Sequence, residues 1–329
     1  MRKPLSLLLL ALASLGLILT ACSKQETHTD SANIDFVLDW SPNTNHTGLY
    51  VAQEKGYFKE AGLTVTIKRP PEDSTSDLII NGKAPFGIYF QDSMAKKLEK
   101  GAGITAVAAI IEHNTSGIIS KQSSNITEPK DLEGRKYGTW NDPVELGMIK
   151  KLMESQKANF DKTTLIPNND SNSITPIENG LFDAAWTYYG WDGIMAQKQG
   201  MKTNFFYMKD YVSDFDYYSP VIIANNDYLK DHPSESKKFM EAVRKGYQYA
   251  MDHPEESAEI LIKNAPELAQ EKDFVVESQK YLSKSYASDK DKWGKFDAKR
   301  WNNFYAWAKE VGIVKEDLKD KGFTNDLLK

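Results

Sequence analysis

The 329-residue chain is 40% hydrophobic and 26% charged, long and apolar enough for a sizeable core, and its formal net charge of −5 comes from acids and bases mixed along the sequence. That mixture excludes the basic stripe of a nucleic-acid binder. Its single cysteine, Cys22, excludes an intramolecular disulfide, a thiolate zinc site and a cysteine nucleophile in the folded part.

Arg2 and Lys3 precede an apolar run from Leu5 to Leu19 that ends at Leu19-Thr20-Ala21-Cys22. The run is shorter than the roughly 20 residues a membrane-spanning helix needs, and polar residues follow at once, so residues 1–21 read as a signal peptide. The cleavage region resembles the bacterial lipobox, in which small residues admit a peptidase and the cysteine is lipidated, making Cys22 the mature N-terminus. One acyl chain binds a bilayer only marginally, so an anchor needs two or more, which the attached lipid supplies. Residues 22–33 are polar and aperiodic, the pattern of a tether.

From Ile34 onward short apolar runs alternate with helical segments. Strands are predicted at 34–38, 63–68, 86–89 and 104–111, with helices at 48–55, 74–81 and from about 91 to 100. This order implies an α/β fold with a mostly parallel sheet covered by helices. Gly117-Ile118-Ile119-Ser120 reads as a crossing into a second lobe. That lobe holds strands at 136–140, 163–166 and 182–186 and helices at 143–155, 174–179 and 190–199, the first of these with Pro143 in its opening turn. The run from Tyr218 to Ala224 returns the chain. The expected division is therefore 34–120 for the first part of lobe 1, 121–218 for lobe 2, and 219–329 for the mostly helical remainder of lobe 1. His232-Pro233-Ser234 and His253-Pro254-Glu255 mark helix starts there, and Phe239, Val243, Tyr247 and Ala250 keep a three-to-four spacing that packs on the first lobe.

In open α/β sheets ligands bind beyond the carboxyl ends of the strands. In lobe 1 those positions hold Asp39, Trp40, Asn43, Asn45 and His46, then Tyr89, Phe90 and Gln91, then Glu112, His113 and Asn114. In lobe 2 they hold Trp140, Asn141 and Asp142, then Asn168, Asn169 and Asp170, then Trp186, Thr187, Tyr188, Tyr189, Trp191 and Asp192. Four of the seven tryptophans fall on this one edge among amides and carboxylates. Flat rings stack on a flat ligand while amides and carboxylates satisfy its ring nitrogens and amino groups. The competing reading makes these aromatics core or lobe-interface residues. The ligand-contact candidates are Asp39, Trp40, Asn43, His46, Tyr89, Gln91, His113, Trp140, Tyr188, Tyr189, Trp191 and Asp192. For His46, ligand contact and capping of the next helix remain equal alternatives.

The stretch Asp39-Trp40-Ser41-Pro42-Asn43-Thr44-Asn45-His46-Thr47-Gly48-Leu49-Tyr50-Val51-Ala52 resembles the bacterial binding proteins for thiamine pyrimidine precursors, relatives of the fungal thiamine-pyrimidine synthases. Lys55-Gly56-Tyr57-Phe58-Lys59-Glu60-Ala61-Gly62-Leu63 is similar to a phrase of the wider superfamily, which includes binders of sulfonates and riboflavin. The likeness continues through Asn81 to Gly87 and Leu132 to Gly138 to about Asp252. It implies a type II periplasmic-binding-protein fold with two lobes, a hinge and no chemistry, and it places Asp39, Trp40 and Asn43 in the pocket wall. It also implies an extracytoplasmic monomer of an ABC importer that hands a small-molecule ligand to a permease and its ATPase, held to the bacterial membrane through the N-terminal lipid. The fungal synthases carry a lysine and a histidine where this chain reads Tyr89-Phe90-Gln91-Asp92-Ser93, and a cysteine-rich stretch where it reads Asp216-Tyr217-Tyr218-Ser219-Pro220. The pyrimidine binders place a glutamate near Tyr189.

Catalytic readings find no support. His28, His46, His113, His232 and His253 show no metal-ligand spacing, and Gly101-x-Gly103 precedes a strand where a dinucleotide loop follows one. No Gly-x-Ser-x-Gly elbow or phosphate loop occurs, and Asp214 and Asp216 sit in a tyrosine-rich loop with nothing to mark an acid/base pair. No catalytic residue, metal or cofactor is expected. The ligand expected is a thiamine pyrimidine precursor of the hydroxymethyl or formylaminomethyl type. The alternatives are riboflavin or another small organic compound and, in other classes, an exported synthase-like enzyme or a surface adhesin on the same fold. Radiolabelled palmitate should enter the wild-type protein, and Cys22→Ala should lose both label and membrane fractionation. A wild-type protein that takes up no label contradicts the anchor.

Overall fold

The computed structural model describes residues 31–70, 74–168 and 172–329. The expected signal peptide, Cys22 and the tether up to residue 30 lie outside the described residues, as do Asn169 and Asp170. No described helix is long and apolar enough to cross a membrane.

The alternation of apolar runs and amphipathic segments folds into two five-stranded sheets. One holds β1 (Ala32–Val37), β2 (Leu63–Lys68), β3 (Phe86–Tyr89), β4 (Ile104–Ala109) and β10 (Val221–Asn225), in the order β2-β1-β3-β10-β4. The other holds β5 (Ser116–Lys121), β6 (Lys136–Thr139), β7 (Thr164–Pro167), β8 (Ala184–Tyr188) and β9 (Thr203–Tyr207), in the order β7-β6-β8-β5-β9. β1 pairs in parallel with β2 and β3, and β6 with β7 and β8. β10 runs antiparallel between β3 and β4, and β5 antiparallel between β8 and β9. Each antiparallel strand is the first after a crossing between lobes. It enters its sheet from the edge where its neighbours end, so it must run against them.

The result is the expected two-lobe α/β fold, with corrections in detail. Ser116–Lys121 is a full strand of the second sheet, so the crossing expected at 117–120 lies instead in residues 110–115. The strand Thr203–Tyr207 carries no clear alternation and was not expected. The helix expected over 190–199 opens as one π turn, Tyr189–Gly193, before the α-helical turn Ile194–Lys198.

The helices packed on lobe 1 build its core through rings. Phe239, on the Pro233–Asp252 helix, stacks on Phe86 at 4.5 Å and on Phe58 at 5.6 Å, and all three are buried. Burial of each such side chain contributes roughly 1.5–3 kcal/mol. The next helices do not keep to lobe 1 as expected. From the Lys272–Ser285 helix, Ser278 Oγ lies 2.6 Å from Thr44 Oγ1 of lobe 1 and donates to Gly190 O of lobe 2. From the Ala298–Glu310 helix, Trp307 meets Phe215 edge-on at 4.9 Å. The C-terminal third thus bridges the lobes.

Two glycines let the Thr47–Glu54 and Pro233–Asp252 helices touch. A Cβ at Gly246 would stand 2.0 Å from Gly48 O, and one at Gly48 would stand 2.3 Å from the Tyr247 ring. Backbone cannot yield as a flexible side chain can, so Gly246→Val should cost about 1–3 kcal/mol or more through overpacking. Gly103→Ala, which meets nothing within 4 Å, should stay within about 0.5 kcal/mol of wild type. Urea midpoints check both, and equal stabilities contradict the close contact.

Candidate functional site

The carboxyl ends of β1, β3, β6 and β8 and the start of β10 surround a cleft of about 200 Å³ between the lobes. Lobe 1 lines it with Asp39, Trp40, Asn43, Asn45, Phe90 and Pro220. Lobe 2 lines it with Trp140, Ser173, Trp186, Thr187, Tyr188, Trp191 and Asp192. Four tryptophans and two carboxylates meet here, and no lysine or arginine is among the lining residues described.

On lobe 1 the turn after β1 is built by Asn43, whose side-chain oxygen accepts from Asn45 N at 2.9 Å. Asn43 N donates to His46 Nδ1 at 3.2 Å, which leaves the imidazole proton on Nε2, facing Asp39 Oδ1 at 2.6 Å. His46 is fully buried and does not line the cleft. Its place is the scaffold, where it holds Asp39 at the wall of the cleft. Trp40 remains 40% exposed at the mouth, edge-on to Trp191 at 6.4 Å.

On lobe 2 the buried Glu145 fixes the turn that carries Trp140. It accepts from Trp140 N at 3.0 Å, from Thr139 Oγ1 at 2.8 Å and from Tyr137 Oη at 3.0 Å. Asp142 caps the helix Pro143–Ser155, accepting from Val144 N at 2.7 Å. Trp140, 44% exposed, packs on Trp186 at 5.5 Å. The π turn swings Trp191 onto Phe274 at 4.5 Å and turns Asp192 back to accept from Tyr188 N at 3.2 Å. Burial raises the Asp192 pKa to about 6, against the opposing pull of the Tyr188 N–H.

Of the sequence-derived candidates, Asp39, Trp40, Asn43, Trp140, Tyr188, Trp191 and Asp192 are brought together at the cleft. The other five stand elsewhere. Besides His46, Tyr89 packs on Phe90 and the core behind it. Gln91 is fully buried as a clamp, donating to Trp301 O at 2.9 Å and accepting from Tyr218 N at 2.8 Å. His113 is exposed on the crossing, 2.6 Å from Asp216 Oδ2. Tyr189 packs among Phe205, Tyr207 and Tyr281. Phe90, Asn45, Trp186 and Thr187, placed at the strand ends by the sequence but not among the twelve contact candidates, also line the cleft. Ser173 and Pro220 carried no signal, since Pro220 precedes a strand that starts at the cleft. Among the described residues no group of three His, Cys, Asp or Glu side chains could hold a metal ion.

Similar proteins share this frame. A formylaminopyrimidine-binding protein of Halalkalibacterium halodurans is 26% identical over 214 residues, 64% of each chain. A 4-amino-5-hydroxymethyl-2-methylpyrimidine phosphate synthase of Saccharomyces cerevisiae is 36% identical over 108 residues, 32% of each. The matches thus span less than two thirds of these relatives. The ligand-binding component of an ABC-type import system from Staphylococcus aureus superposes with a TM-score of 0.68 at 13% identity, over 90% of this chain and 98% of that one, a likeness of fold. Residues 43–257, which take in the cleft from Asn43 to Pro220, match the family described as NMT1/THI5 like, and the chain belongs to it.

Proposed function

We propose that this protein is the extracytoplasmic binding component of an ABC importer, without catalytic activity of its own, and that its cleft takes an aminopyrimidine precursor of thiamine. The observation that carries the reading is the cleft wall itself, four tryptophans around two carboxylates with no basic side chain among the described lining residues. Rings on both lobes suit a flat ligand, and carboxylates suit one that presents amino groups and ring nitrogens. An anion would find no countercharge among the described lining residues. The volume of about 200 Å³ falls below the ~300–1,000 Å³ of pockets for drug-sized ligands, which favours one ring over a flavin. The Halalkalibacterium relative, named for a formylaminopyrimidine, supports the same class.

Stacking adds about 1 kcal/mol per ring beyond buried area and discriminates little. Selection falls to the edges. Asp39 offers an acceptor held by His46, and Asp192 offers a carboxyl poised near pH 6. A carboxyl facing an aminopyrimidine makes two hydrogen bonds, one from the amino group and one through a proton shared with the ring nitrogen. Closure of the lobes over the ligand would present one surface to a permease.

Tryptophan fluorescence should respond saturably to hydroxymethyl- or formylaminomethyl-pyrimidine. A response to riboflavin alone contradicts the ligand class while leaving the binding role. Asp39→Ala should weaken an aminopyrimidine by about one to two decades, and an analogue lacking the amino group much less.

The shared proton also sets a pH dependence. The raised pKa means that folded Asp192 keeps its proton up to about pH 6. Above that, forming the pair requires proton uptake, so affinity should fall from pH 6 to pH 8 by at most about tenfold per unit. Asp192→Asn retains a donor and an acceptor, so it should bind with a flatter profile. An unchanged slope in the variant contradicts the role given to Asp192.

A further inference from the structure

Trp191 and Asp192 belong to lobe 2 by sequence, yet the turn that carries them rests on lobe 1. The π turn Tyr189–Gly193 follows directly on β8 of the second sheet. Its Trp191 packs on the core built around Phe36, Leu38 and Phe239 of lobe 1, and Ile194, the next residue after the turn, belongs to that core. Two residues further on, Ala196 packs with Ile119 and Ala185 of the second sheet. The turn is therefore an arm that lobe 2 lays across the gap.

One face of the helix Lys272–Ser285 holds this arm, the face on which Phe274, Ser278 and Leu282 recur every four residues. Phe274 meets the Trp191 ring edge-on at 4.5 Å. A Cβ at Gly190 would stand 2.8 Å from Leu282 Cδ2 and 3.0 Å from Tyr281 Cδ1, so only glycine lets the turn lie this close to the helix. Between these contacts the fully buried Ser278 donates its one hydroxyl proton to Gly190 O. Its bond with Thr44 Oγ1, 2.6 Å away, must then be one in which Thr44 donates. Tyr286 Oη donates to Thr44 O and fixes that turn from behind. An ordered chain from Thr44 to Ser278 to Gly190 thus joins the turn that His46 ties to Asp39 with the turn that carries Asp192.

We propose that Ser278 is a positioning residue that sets the spacing between Asp39 and Asp192, so that the two carboxyls meet the ligand as one pair preassembled on lobe 1. Ser278 is not among the lining residues of the cleft and acts through the two turns it joins. Trp140 and Trp186, on the body of lobe 2, complete the wall around that pair. The proposal rests on the reading that these carboxyls recognise the edge of a ring ligand, and adds the residue that holds them in register.

The test is calorimetric titration with 4-amino-5-hydroxymethyl-2-methylpyrimidine. Ser278→Ala should weaken binding by about tenfold in the wild-type protein. Because the loss arises through Asp192, the same substitution made on Asp192→Ala should cost no more than about twofold, while on Trp140→Ala it should again cost about tenfold. Gly190→Ala pushes the same turn off the helix without removing a hydroxyl and should repeat this pattern, which keeps the test open if one variant folds poorly. Thermal midpoints show which variants are folded at the assay temperature. An affinity unchanged by Ser278→Ala, or a loss of the same size in all three backgrounds, overturns the positioning role alone. A wild-type protein that does not bind the pyrimidine overturns the reading of the cleft and the proposal with it.

Discussion

Two lobes joined by two crossings need something to fix those crossings relative to each other, and here it is Asp216. Its Oδ1 accepts from Asn114 N at 2.9 Å, tying the second crossing to the first. Its Oδ2 lies 3.0 Å from Arg300 of the Ala298–Glu310 helix, and both side chains are only 19% exposed. Arg300 also sits over the Tyr218 ring at 4.2 Å. A pair this sheltered is screened little by salt, and breaking it would strand a charge. Every cleft residue of lobe 2 is placed relative to lobe 1 through these crossings and through the C-terminal helices that bridge the gap.

Within that frame affinity and selectivity come from different parts of the wall. The tryptophans at the mouth, Trp40 and Trp140, are half exposed and supply stacking surface that tolerates many rings. The carboxyls are held by local devices, His46 behind Asp39 and the π turn behind Asp192. A fold shared at 13% identity says nothing about which ligand enters. The donors and acceptors at the edges decide that.

Much of this was legible in the sequence, because the carboxyl-end rule needs only strand positions. Seven of twelve candidate contacts line the cleft for that reason. The rule cannot tell which way a side chain points. Tyr188 ends β8 and reaches the cleft, while Tyr189, the first residue of the π turn, packs into a nest of Phe205, Tyr207 and Tyr281. Gln91 looked like a ligand amide and is a buried clamp, a role visible only once Tyr218 and Trp301 are brought beside it. The strand Ser116–Lys121 was mistaken for a crossing because its first five residues are all buried, so it shows no in-and-out period.

The central claim is the chemical nature of what fills the cleft. The most direct measurement is the identity by mass of the small molecule that copurifies with the protein and is released on denaturation. An amino-substituted pyrimidine is the result this account predicts. A sulfonate, another anion or a flavin would contradict it.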